Sequence, residues 1–502
     1  MRIVLYPSYI YFNHITEDEE TRLNDTFSVL SENYFFSKLY KEGKWDGYKR
    51  FYNQNKRTLP IGFLNAIKSK FDITDIEDKR NTRVHYDSDI VMNMVMRDFQ
   101  SEVIAKALAR KSGIIDFAMN AGKTYIFVVL SLMLKRNNVL ILTHRKEILK
   151  QIVDEFKELD FEIGQIGLGK KELDKQITIG MVQTVANSLS TQKRKDEKGK
   201  TKSISPPDPE VEQWFQTINC LIIDEIHHAV SSGYQTILRK SRAYMRFGFS
   251  GTVQPEGTID GYVVRQYIGD IIASIKSKEL IDRGISAKPI IKVIHLPSTL
   301  VDDYNDSVKQ NVIYSEEKIL AISKVVDRHP DEKVLVVTDS IPHGTIITKV
   351  LQKIGYNCKF ASGESPDRTQ TLIDFEAGKI PVLMATTIID EGVNIKDINV
   401  VVLAFPRRNY RQTLQRIGRG MRIADGKSSV VVYDFKDTKD KYLYDQFKDR
   451  MNYYKDEEFE WGYVRLKHDT KRDEERSEVI AREIMSEISA RANDISGDSG
   501  WD

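Results

Sequence analysis

The chain has 502 residues, of which 41% are hydrophobic and 29% charged, and this length predicts about three domains at roughly 100–200 residues each. Its 23 Tyr and 21 Phe exclude a disordered chain, and no apolar run approaches the ~18 residues that span a bilayer. The two cysteines, Cys220 and Cys358, are too few for a disulfide framework or a four-thiolate zinc site. Lys+Arg 75 against Asp+Glu 73 gives a net charge of +2, so the totals do not indicate a nucleic-acid binder.

The first 90 residues have a mixed, aromatic-rich pattern that predicts a small α+β domain. Within them, residues 36–70 carry nine Lys/Arg and only two Asp/Glu. Cations neutralise phosphates and exposed rings stack on unpaired bases, so Trp45, Lys49 and Arg50 are candidate nucleic-acid contacts. The interleaved rings are Tyr40, Trp45, Tyr48, Phe51 and Tyr52. The alternative is a domain whose aromatic residues form a core and whose lysines are solvated.

Two series of apolar, β-rich runs alternating with helix-length segments follow, one from Gly113 to Thr252 and one from VLVVTDS (334–340) to SVVVYDF (429–435). The first series includes ITIGMVQTV (177–185), which is predicted to be a strand along its whole length. Such series predict parallel sheets covered on both faces. A polar, basic loop is expected at 190–209 and a charged helical pattern from about Trp461 onward. The predicted fold class is α/β, with two tandem parallel-sheet domains, the N-terminal α+β domain and a C-terminal helical extension. The predicted boundaries are 1–90, 91–282, 283–455 and 456–502.

FAMNAGKT (117–124) follows a strand and opens a helix, as a phosphate-binding loop does. The backbone at Asn120, Ala121 and Gly122 would cradle phosphates, Lys123 would reach the β- and γ-phosphates, and Thr124 would bind Mg²⁺. The match is incomplete, because Phe117 stands where the first glycine of such a loop belongs.

A second element, CLIIDEIHH (220–228), places Asp224 and Glu225 at the carboxyl end of an apolar strand. Mg²⁺ prefers carboxylate and water oxygens, so Asp224 is a candidate metal residue. Glu225 is placed to orient and deprotonate an attacking water. Together the two elements predict a P-loop nucleoside triphosphatase.

A third element, YRQTLQRIGRGMR (410–422), carries Arg411, Arg416, Arg419 and Arg422, and no acidic residue lies between Phe405 and Arg422. The last three arginines are three residues apart and fall on one helical face. An arginine that reaches the γ-phosphate stabilises the charge of the transition state. The alternative is a solvated basic helix.

The order and spacing of these elements over Arg97–Phe435 resemble the superfamily 2 helicases and translocases. The resemblance implies RecA-like domains, ATP and Mg²⁺ as cofactors, and catalytic roles for Lys123, Asp224, Glu225, Arg419 and Arg422. It implies nucleotide contacts from Arg97, Gln100, Gly392 and Asn394, although Asn394 stands where many relatives carry Asp. It also implies that hydrolysis is coupled to nucleic-acid grip through His227, Ser250, Gly251, Thr252 and Gln415.

The resemblance further implies contacts to the nucleic-acid backbone from small polar groups at strand ends. These are Thr143, Arg145, Gln183, Thr184, Thr338, Ser340, Thr386 and Thr387. Such groups bind phosphates without reading bases. The alternative is that each is a strand-end cap.

GKWDGYKRFYNQNKRTLPIGFL (43–64) resembles the N-terminal domain of the UvsW-type phage helicases. This resemblance implies that DNA is the partner, in branched form: forks, four-way junctions and displacement loops. The alternatives are an RNA or RNA–DNA hybrid helicase, a restriction-type duplex translocase subunit, and a nucleotide-switched DNA-binding module. Residues 465–502, with seven Lys/Arg and ten Asp/Glu, are a candidate protein-binding tail. No membrane is expected as a partner, and the expected location is the cytoplasm, that of the host if a phage encodes the chain.

Overall fold

A computed structural model of the chain describes residues 1–87, 89, 94–195, 201–251, 253, 255–386, 397–405, 416–418, 420–421, 427–466 and 478–484. For residues 193–195 and 201–203 it describes the backbone alone. The described chain divides into two compact units. The first contains Met1–Ala118 and Gly122–Ile275, and the second contains Met119–Ala121 and Lys276–Asp502.

The first unit begins with an N-terminal module built on a small mixed sheet. Its strands are β1 (Arg2–Leu5), β2 (Tyr9–Asn13), β3 (Ser28–Leu30), β4 (Tyr48–Arg50), β5 (Thr58–Pro60) and β6 (Asp75–Asp78). Its helices are α1 (Glu17–Thr26), α2 (Lys38–Lys41) and α3 (Leu64–Lys70). The main sheet has the order β5-β2-β1-β6, and β3 pairs with β4 separately. Helix α1 starts in a capping box, in which Thr16 Oγ1 accepts from the Glu19 backbone N–H and Glu19 accepts from that of Thr16.

The rest of the first unit is an eight-stranded sheet covered by helices. Its strands are β7 (Ser112–Phe117), β8 (Val139–Thr143), β9 (Gly164–Gly167), β10 (Lys170–Lys171), β11 (Ile177–Met181), β14 (Cys220–Ile223), β15 (Met245–Ser250) and β16 (Ile271–Ile275). A two-stranded hairpin, β12 (Gln192–Lys195) and β13 (Thr201–Ser205), lies apart from this sheet. The helices are α4 (Asp98–Arg110), α5 (Lys123–Leu134), α6 (Lys146–Glu158), α7 (Val182–Ser188), α8 (Pro209–Phe215), α9 (Ser232–Lys240) and α10 (Ile259–Ile268). The order is β10-β9-β11-β8-β14-β15-β7-β16, and all pairs are parallel except β9 with β10.

The N-terminal module is packed against α10. Its core includes Val263, and the Tyr262 ring lies 5.2 Å from that of Phe51 and 5.5 Å from that of Phe63. A side chain at Gly62 would place its Cβ only 2.0 Å from the Arg265 carbonyl oxygen, so only glycine allows this close approach. The module and the eight-stranded sheet therefore share one hydrophobic interface.

The second unit contains a seven-stranded, entirely parallel sheet. Its strands are β17 (Lys288–Leu296), β18 (Val334–Val337), β19 (Cys358–Ala361), β20 (Val382–Ala385), β21 (Val400–Leu403), β22 (Ser429–Asp437) and β23 (Glu460–Val464), in the order β19-β20-β18-β21-β22-β17-β23. The helices are α11 (Ser277–Asp282), α12 (Tyr304–Val308), α13 (Glu316–Asp327), α14 (Ile341–Ile354), α15 (Arg368–Glu376) and α16 (Lys441–Asp456). Apolar side chains cover both faces of this sheet.

The predicted fold class is confirmed: two parallel-sheet α/β domains and a small α+β module are present. The four predicted domain boundaries stay predictions. No helix in the described ranges is both long and apolar enough to cross a membrane.

Three local predictions were wrong. The run 177–185 is a strand only to Met181, after which α7 begins. The polar loop at 190–209 contains the β12–β13 hairpin, whose strands pair from Gln192↔Ser205 inward. Residues 460–464 are the edge strand β23 rather than helix, because EWGYV has the β-favouring aromatic content that lets it pair in parallel with β17. The helical residues described in the extension are 478–484.

Candidate nucleotide-binding site

The order β14-β15-β7 places three loops side by side at the carboxyl edge of the first sheet. Asp224 and Glu225 follow β14, Gly251 follows β15, and residues 118–122 follow β7. The carboxyl ends of parallel strands are the usual position of ligand sites in open α/β sheets. The sheet topology thus brings together the phosphate loop, the Asp224–Glu225 pair and the end of β15, which lies between them in the sheet.

The phosphate-binding loop turns sharply into α5. Asn120 and Gly122 have φ values of 69° and 81°, in the left-handed region, and α5 begins at Lys123. A Cβ at Gly122 would lie 2.6 Å from Gln100 Nε2, so a side chain is excluded there. The first-turn N–H groups of a helix have no partner within the helix, which makes this end of α5 suited to an anion.

Arg97 and Gln100, two of the predicted nucleotide contacts, adjoin this loop. Gln100 is buried, its side-chain oxygen accepts a hydrogen bond of 3.0 Å from the Arg97 backbone N–H, and its amide nitrogen faces Gly122. Arg97 is the N-cap of α4. The structure therefore brings Arg97 and Gln100 to the phosphate loop.

Lys123 and the acidic pair meet at the centre of the site. Lys123 Nζ lies 3.7 Å from Glu225 Oε1, and Glu225 has a strained left-handed φ of 48°. Burial raises the pKa of Glu225, but the charges of Lys123, His227 and Arg145 outweigh burial and hold that pKa below its usual range. Glu225 is thus held as a carboxylate, the form that a base requires.

Asp224 is buried beside this pair. Its Oδ2 accepts a hydrogen bond of 3.3 Å from Thr143 Oγ1. Burial and the charge of Glu225 raise the pKa of Asp224 well above its usual range. A buried carboxylate whose ionised form is destabilised gains from a nearby cation, so Asp224 together with the Thr124 hydroxyl fits a hard divalent metal.

The DEIH segment contacts the end of β15. His227 Nδ1 lies 2.8 Å from Ser250 Oγ and 3.3 Å from Glu225 Oε2. A Cβ at Gly251 would lie 2.9 Å from the Phe117 carbonyl oxygen and 3.5 Å from Lys123 Nζ. Gly251, at the end of β15, therefore packs directly on the phosphate loop. Thr252 lies outside the described residues.

A cluster of histidines adjoins the acidic pair and was not predicted from the sequence. The His228 ring centroid lies 4.3 Å from those of both His144 and His227, and Tyr234 Oη lies 3.4 Å from His144 Nδ1. Burial, followed by the charges of His228 and Arg145, lowers the pKa of His144 to about 4. The second histidine of DEIHH was the available clue.

The candidate backbone contacts of the first unit differ in exposure. Thr143 is fully buried and its hydroxyl is bound to Asp224. Arg145 is half-buried and its Nε donates to His144 Nε2 at 3.3 Å. Gln183 is exposed on α7, where its amide bonds Asn187, and Thr184 beside it is half-buried. Burial of Thr143 favours the strand-end interpretation for that residue.

In the second unit the described candidates also have internal partners. Thr338 is buried, and its hydroxyl lies 3.0 Å from His343 Nδ1. Ser340 caps α14 by accepting from the His343 backbone N–H, and Thr386 is buried with its N–H on the Ala361 carbonyl. Arg416 is buried and ion-paired with Asp339. The remaining candidates lie outside the described residues: Thr387, Gly392, Asn394, Arg411, Gln415, Arg419 and Arg422.

The N-terminal module exposes only some of the predicted rings. Phe51 and Tyr52 are buried, Trp45 is half-buried with its indole N–H on the Tyr48 carbonyl, and Lys49 lies over the Phe51 ring. Arg50 is ion-paired with Asp46. Tyr40 and Tyr48 are exposed as predicted, and together with the exposed Phe35, Phe36 and Leu39 they make up what we call the aromatic patch.

Two family models match this chain. The model for the Type III restriction enzyme, res subunit, matches residues 93–255, and the model for the helicase conserved C-terminal domain matches residues 317–424. The first range contains the phosphate loop and the acidic pair, and the second contains the arginine-rich segment.

Relatives and solved structures agree with these matches. The chain is 24% identical to the ATP-dependent DNA helicase uvsW of Enterobacteria phage T4, over 90% of this chain and 97% of the relative. It is 25% identical to the DNA 3'-5' translocase XPB2 of Sulfurisphaera tokodaii, over 69% of this chain and 82% of the relative. The structure of Saccharomyces cerevisiae Dbp5 bound to RNA and ADP BeF3 is similar in fold, with a TM-score of 0.51, 14% identity, and coverage of 79% and 96% of the two chains.

Proposed function

Since this chain belongs to superfamily 2 of the helicases, we propose that it is a motor that remodels branched DNA. The chain is a nucleic-acid-dependent ATPase. The substrate proposed for it comprises forks, four-way junctions and displacement loops. The relative that matches almost its whole length is named a DNA helicase, which supports DNA over RNA as the partner.

Hydrolysis is assigned to the residues at the carboxyl edge of the first sheet. In this proposal Lys123 binds the terminal phosphates and Glu225 takes a proton from the attacking water. The distance of 3.7 Å between Lys123 Nζ and Glu225 Oε1 supports a shared site, because the group that binds the phosphate and the group that activates the water must lie side by side.

Thr124 and Asp224 are the residues that would hold Mg²⁺. When bound, the metal neutralises phosphate charge. Asp224 would supply a carboxylate oxygen and Thr124 a hydroxyl oxygen, the donor types that this ion prefers. Arg419 and Arg422 are proposed to stabilise the transition-state charge, Gly392 and Asn394 to contact the nucleotide, and Gln415 and Thr252 to couple hydrolysis to grip.

The observation that carries the branched-DNA proposal is the aromatic patch. Phe36 is 69% exposed and Leu39 54% exposed, and the rings of Tyr34, Phe35 and Phe36 follow one another at 4.5–5.7 Å. Monomeric proteins rarely expose such a patch without a binding role. Exposed rings beside lysines suit the unpaired or splayed bases found where a duplex branches.

Two exposed lysines adjoin residues of the aromatic patch in the sequence. The Lys38 side chain is 89% exposed, with Glu42 3.7 Å away, and Lys41 is also exposed. Cations at the edge of the patch would attract phosphates while the rings contact bases. The module is fixed to the first sheet through α10, so a junction held by the patch would be presented to the motor at a constant position.

The test is a comparison of DNA affinities. We expect Phe36→Ala to weaken binding to a fork by about tenfold, the effect of one lost base–aromatic stack, and to leave binding to blunt duplex unchanged. Leu300→Ala, at an exposed apolar residue of the second unit, is the matched control. Equal losses on fork and blunt duplex, or no loss on the fork, would contradict the assignment of the patch.

The match to a restriction-enzyme subunit over residues 93–255 favours one second candidate, a translocase on intact duplex. Such a motor would move along duplex without separating its strands. Triplex displacement on linear duplex, with no release of a strand from forks, would favour this candidate.

A further inference from the structure

A groove lies on the first unit between the N-terminal module and the helices α9 and α10. Its volume is about 710 Å³. From the module it is lined by β2, β5 and the residues next to them, and from the sheet domain by Arg239 of α9 and Tyr267 of α10. We call it the tyrosine groove.

The groove is rich in aromatic side chains. Five of its twelve lining residues are aromatic: Tyr6, Tyr9, Tyr11, Phe51 and Tyr267. The rings of Tyr6 and Tyr9 are stacked, with centroids 4.7 Å apart and planes 19° apart, and Tyr9 is 38% exposed. A ring that is already supported on one face and open on the other is preorganised to stack on a flat partner.

The charge of the groove has one sign. Its lining includes Lys56 and Arg239 and no aspartate or glutamate. Both cations are exposed, and within the described ranges neither has an ion-pair partner. A cation without a local carboxylate attracts an anion from solution, so the lining complements a ligand that combines flat rings with negative charge.

The groove is separate from the nucleotide site. It lies where α9 and α10 end and β15 begins, at the amino edge of the first sheet, whereas the phosphate loop lies at the carboxyl edge. Arg246, near the start of β15, donates to the carbonyls of Pro7 and Tyr267, which adjoin the groove, and so fixes its two walls together. The groove is thus a rigid surface on the far edge of the motor domain.

We propose that the tyrosine groove binds an unpaired segment of a DNA strand, with Tyr9 stacking on a base and Lys56 and Arg239 contacting phosphates. This inference rests on the proposed function, because a branched substrate has more than one arm and the groove would hold an arm that the motor does not track. Side chains of these types bind single strands without sequence preference.

The experiment is photocrosslinking of the full chain to a fork whose unpaired arms contain 5-iodouracil, followed by peptide mass spectrometry. We expect crosslinks at Tyr9 or Tyr267. Tyr9→Ala, and separately Lys56→Glu with Arg239→Glu, should reduce the crosslink yield in the groove on the order of tenfold. Lys68→Glu with Arg110→Glu makes the same charge change at exposed residues outside the groove and should leave the yield unchanged.

Absence of groove crosslinks, or yields that the groove variants do not lower, would overturn the inference. So would a zero-length crosslink between Lys56 and the acidic segment 465–502 that persists with DNA present, because the chain's own tail would then occupy the groove. Fork unwinding without groove crosslinks would leave the proposed function intact. Groove crosslinks combined with equal unwinding of linear and branched DNA would contradict the proposed function but would support binding of an unpaired DNA segment in the groove.

Discussion

His227 and Ser250 link the carboxyl ends of two adjacent strands, with Nδ1 of the histidine 2.8 Å from Oγ of the serine. His227 also lies 3.3 Å from Glu225, the proposed base. The His227 side chain would therefore transmit a change in the position or charge of Glu225 during hydrolysis to the end of β15.

We predict that His227→Ala uncouples hydrolysis from unwinding. Lys123 and the Glu225 carboxylate remain, so ATP turnover should fall less than strand separation does, and the ratio of base pairs opened per ATP should decrease on the order of tenfold. The measurement pairs phosphate release with fluorescent strand release on one fork. Ser250→Ala should act in the same direction, whereas Ser274→Ala, on the edge strand β16 where the hydroxyl bonds Asp116, should not. Equal losses of turnover and unwinding in His227→Ala would refute this role.

Glu225→Gln should lower DNA-stimulated ATP turnover by about 10²–10⁴-fold, the range attributed to a positioned acid–base group. The amide keeps the size of the side chain but cannot take a proton. Binding of ATP and of DNA should persist, as measured by nucleotide fluorescence and DNA anisotropy. Glu158→Gln, exposed on α6, is the control. Turnover within threefold of the unaltered protein would remove Glu225 from the mechanism.

Arg246→Met should destabilise the first unit by about 3 kcal/mol. The buried guanidinium donates five hydrogen bonds to backbone carbonyls, those of Pro7, Leu238, Ser241, Ala243 and Tyr267. Methionine would leave these acceptors without their donor, and the N-terminal module would separate more readily. Thermal unfolding and limited proteolysis near residue 90 report the effect. Arg242→Met, an exposed neighbour, should change neither.

His343 should make the second unit sensitive to acid. It is fully buried, its Nε2 has no hydrogen-bond partner in the described part of the chain, and burial lowers its pKa to about 3. The unfolded chain, with an ordinary histidine pKa near ~6.5, binds the proton more readily than the folded chain, so stability falls as pH drops below that value towards 3.

Between pH 7 and pH 5 the unaltered protein should therefore lose about 2 kcal/mol of unfolding free energy relative to His343→Leu. Urea unfolding at the two pH values, monitored by circular dichroism, measures this difference. His14→Asn, at an exposed histidine, should behave as the unaltered protein does. Parallel pH profiles for the unaltered protein and His343→Leu would contradict the prediction.

Much of this fold was readable from local pattern. Apolar runs ending in AGKT and DE predicted both the strands and the edge at which Lys123, Asp224 and Glu225 meet, because parallel strands place their carboxyl ends together. The wrong predictions concern residues whose burial depends on contacts with residues distant in the sequence. Phe51 and Tyr52 were expected at a surface, yet Tyr262 and Val263, some two hundred residues away, complete the core that buries Phe51.

The same limit explains the errors at element ends. Val182–Ser188 continues an apolar run whose composition does not separate a buried strand from a buried helix, and α7 is decided by its packing against α9. Glu460–Val464 is charged and aromatic in isolation, and it becomes a strand because the edge of β17 is open to it. The strand-end hydroxyl of Thr143 donates to Asp224, and its assignment to nucleic acid stays a prediction.

The most direct test of the central claim is ATP-dependent strand release from a fork and from a linear partial duplex of identical sequence, measured under single-turnover conditions with Mg²⁺. We expect release from the fork to be about tenfold faster, Lys123→Ala to abolish release from both substrates, and Phe36→Ala to remove most of the preference for the fork. Equal rates on the two substrates would refute the proposed branched substrate, and strand release that survives Lys123→Ala would refute the proposed nucleotide site.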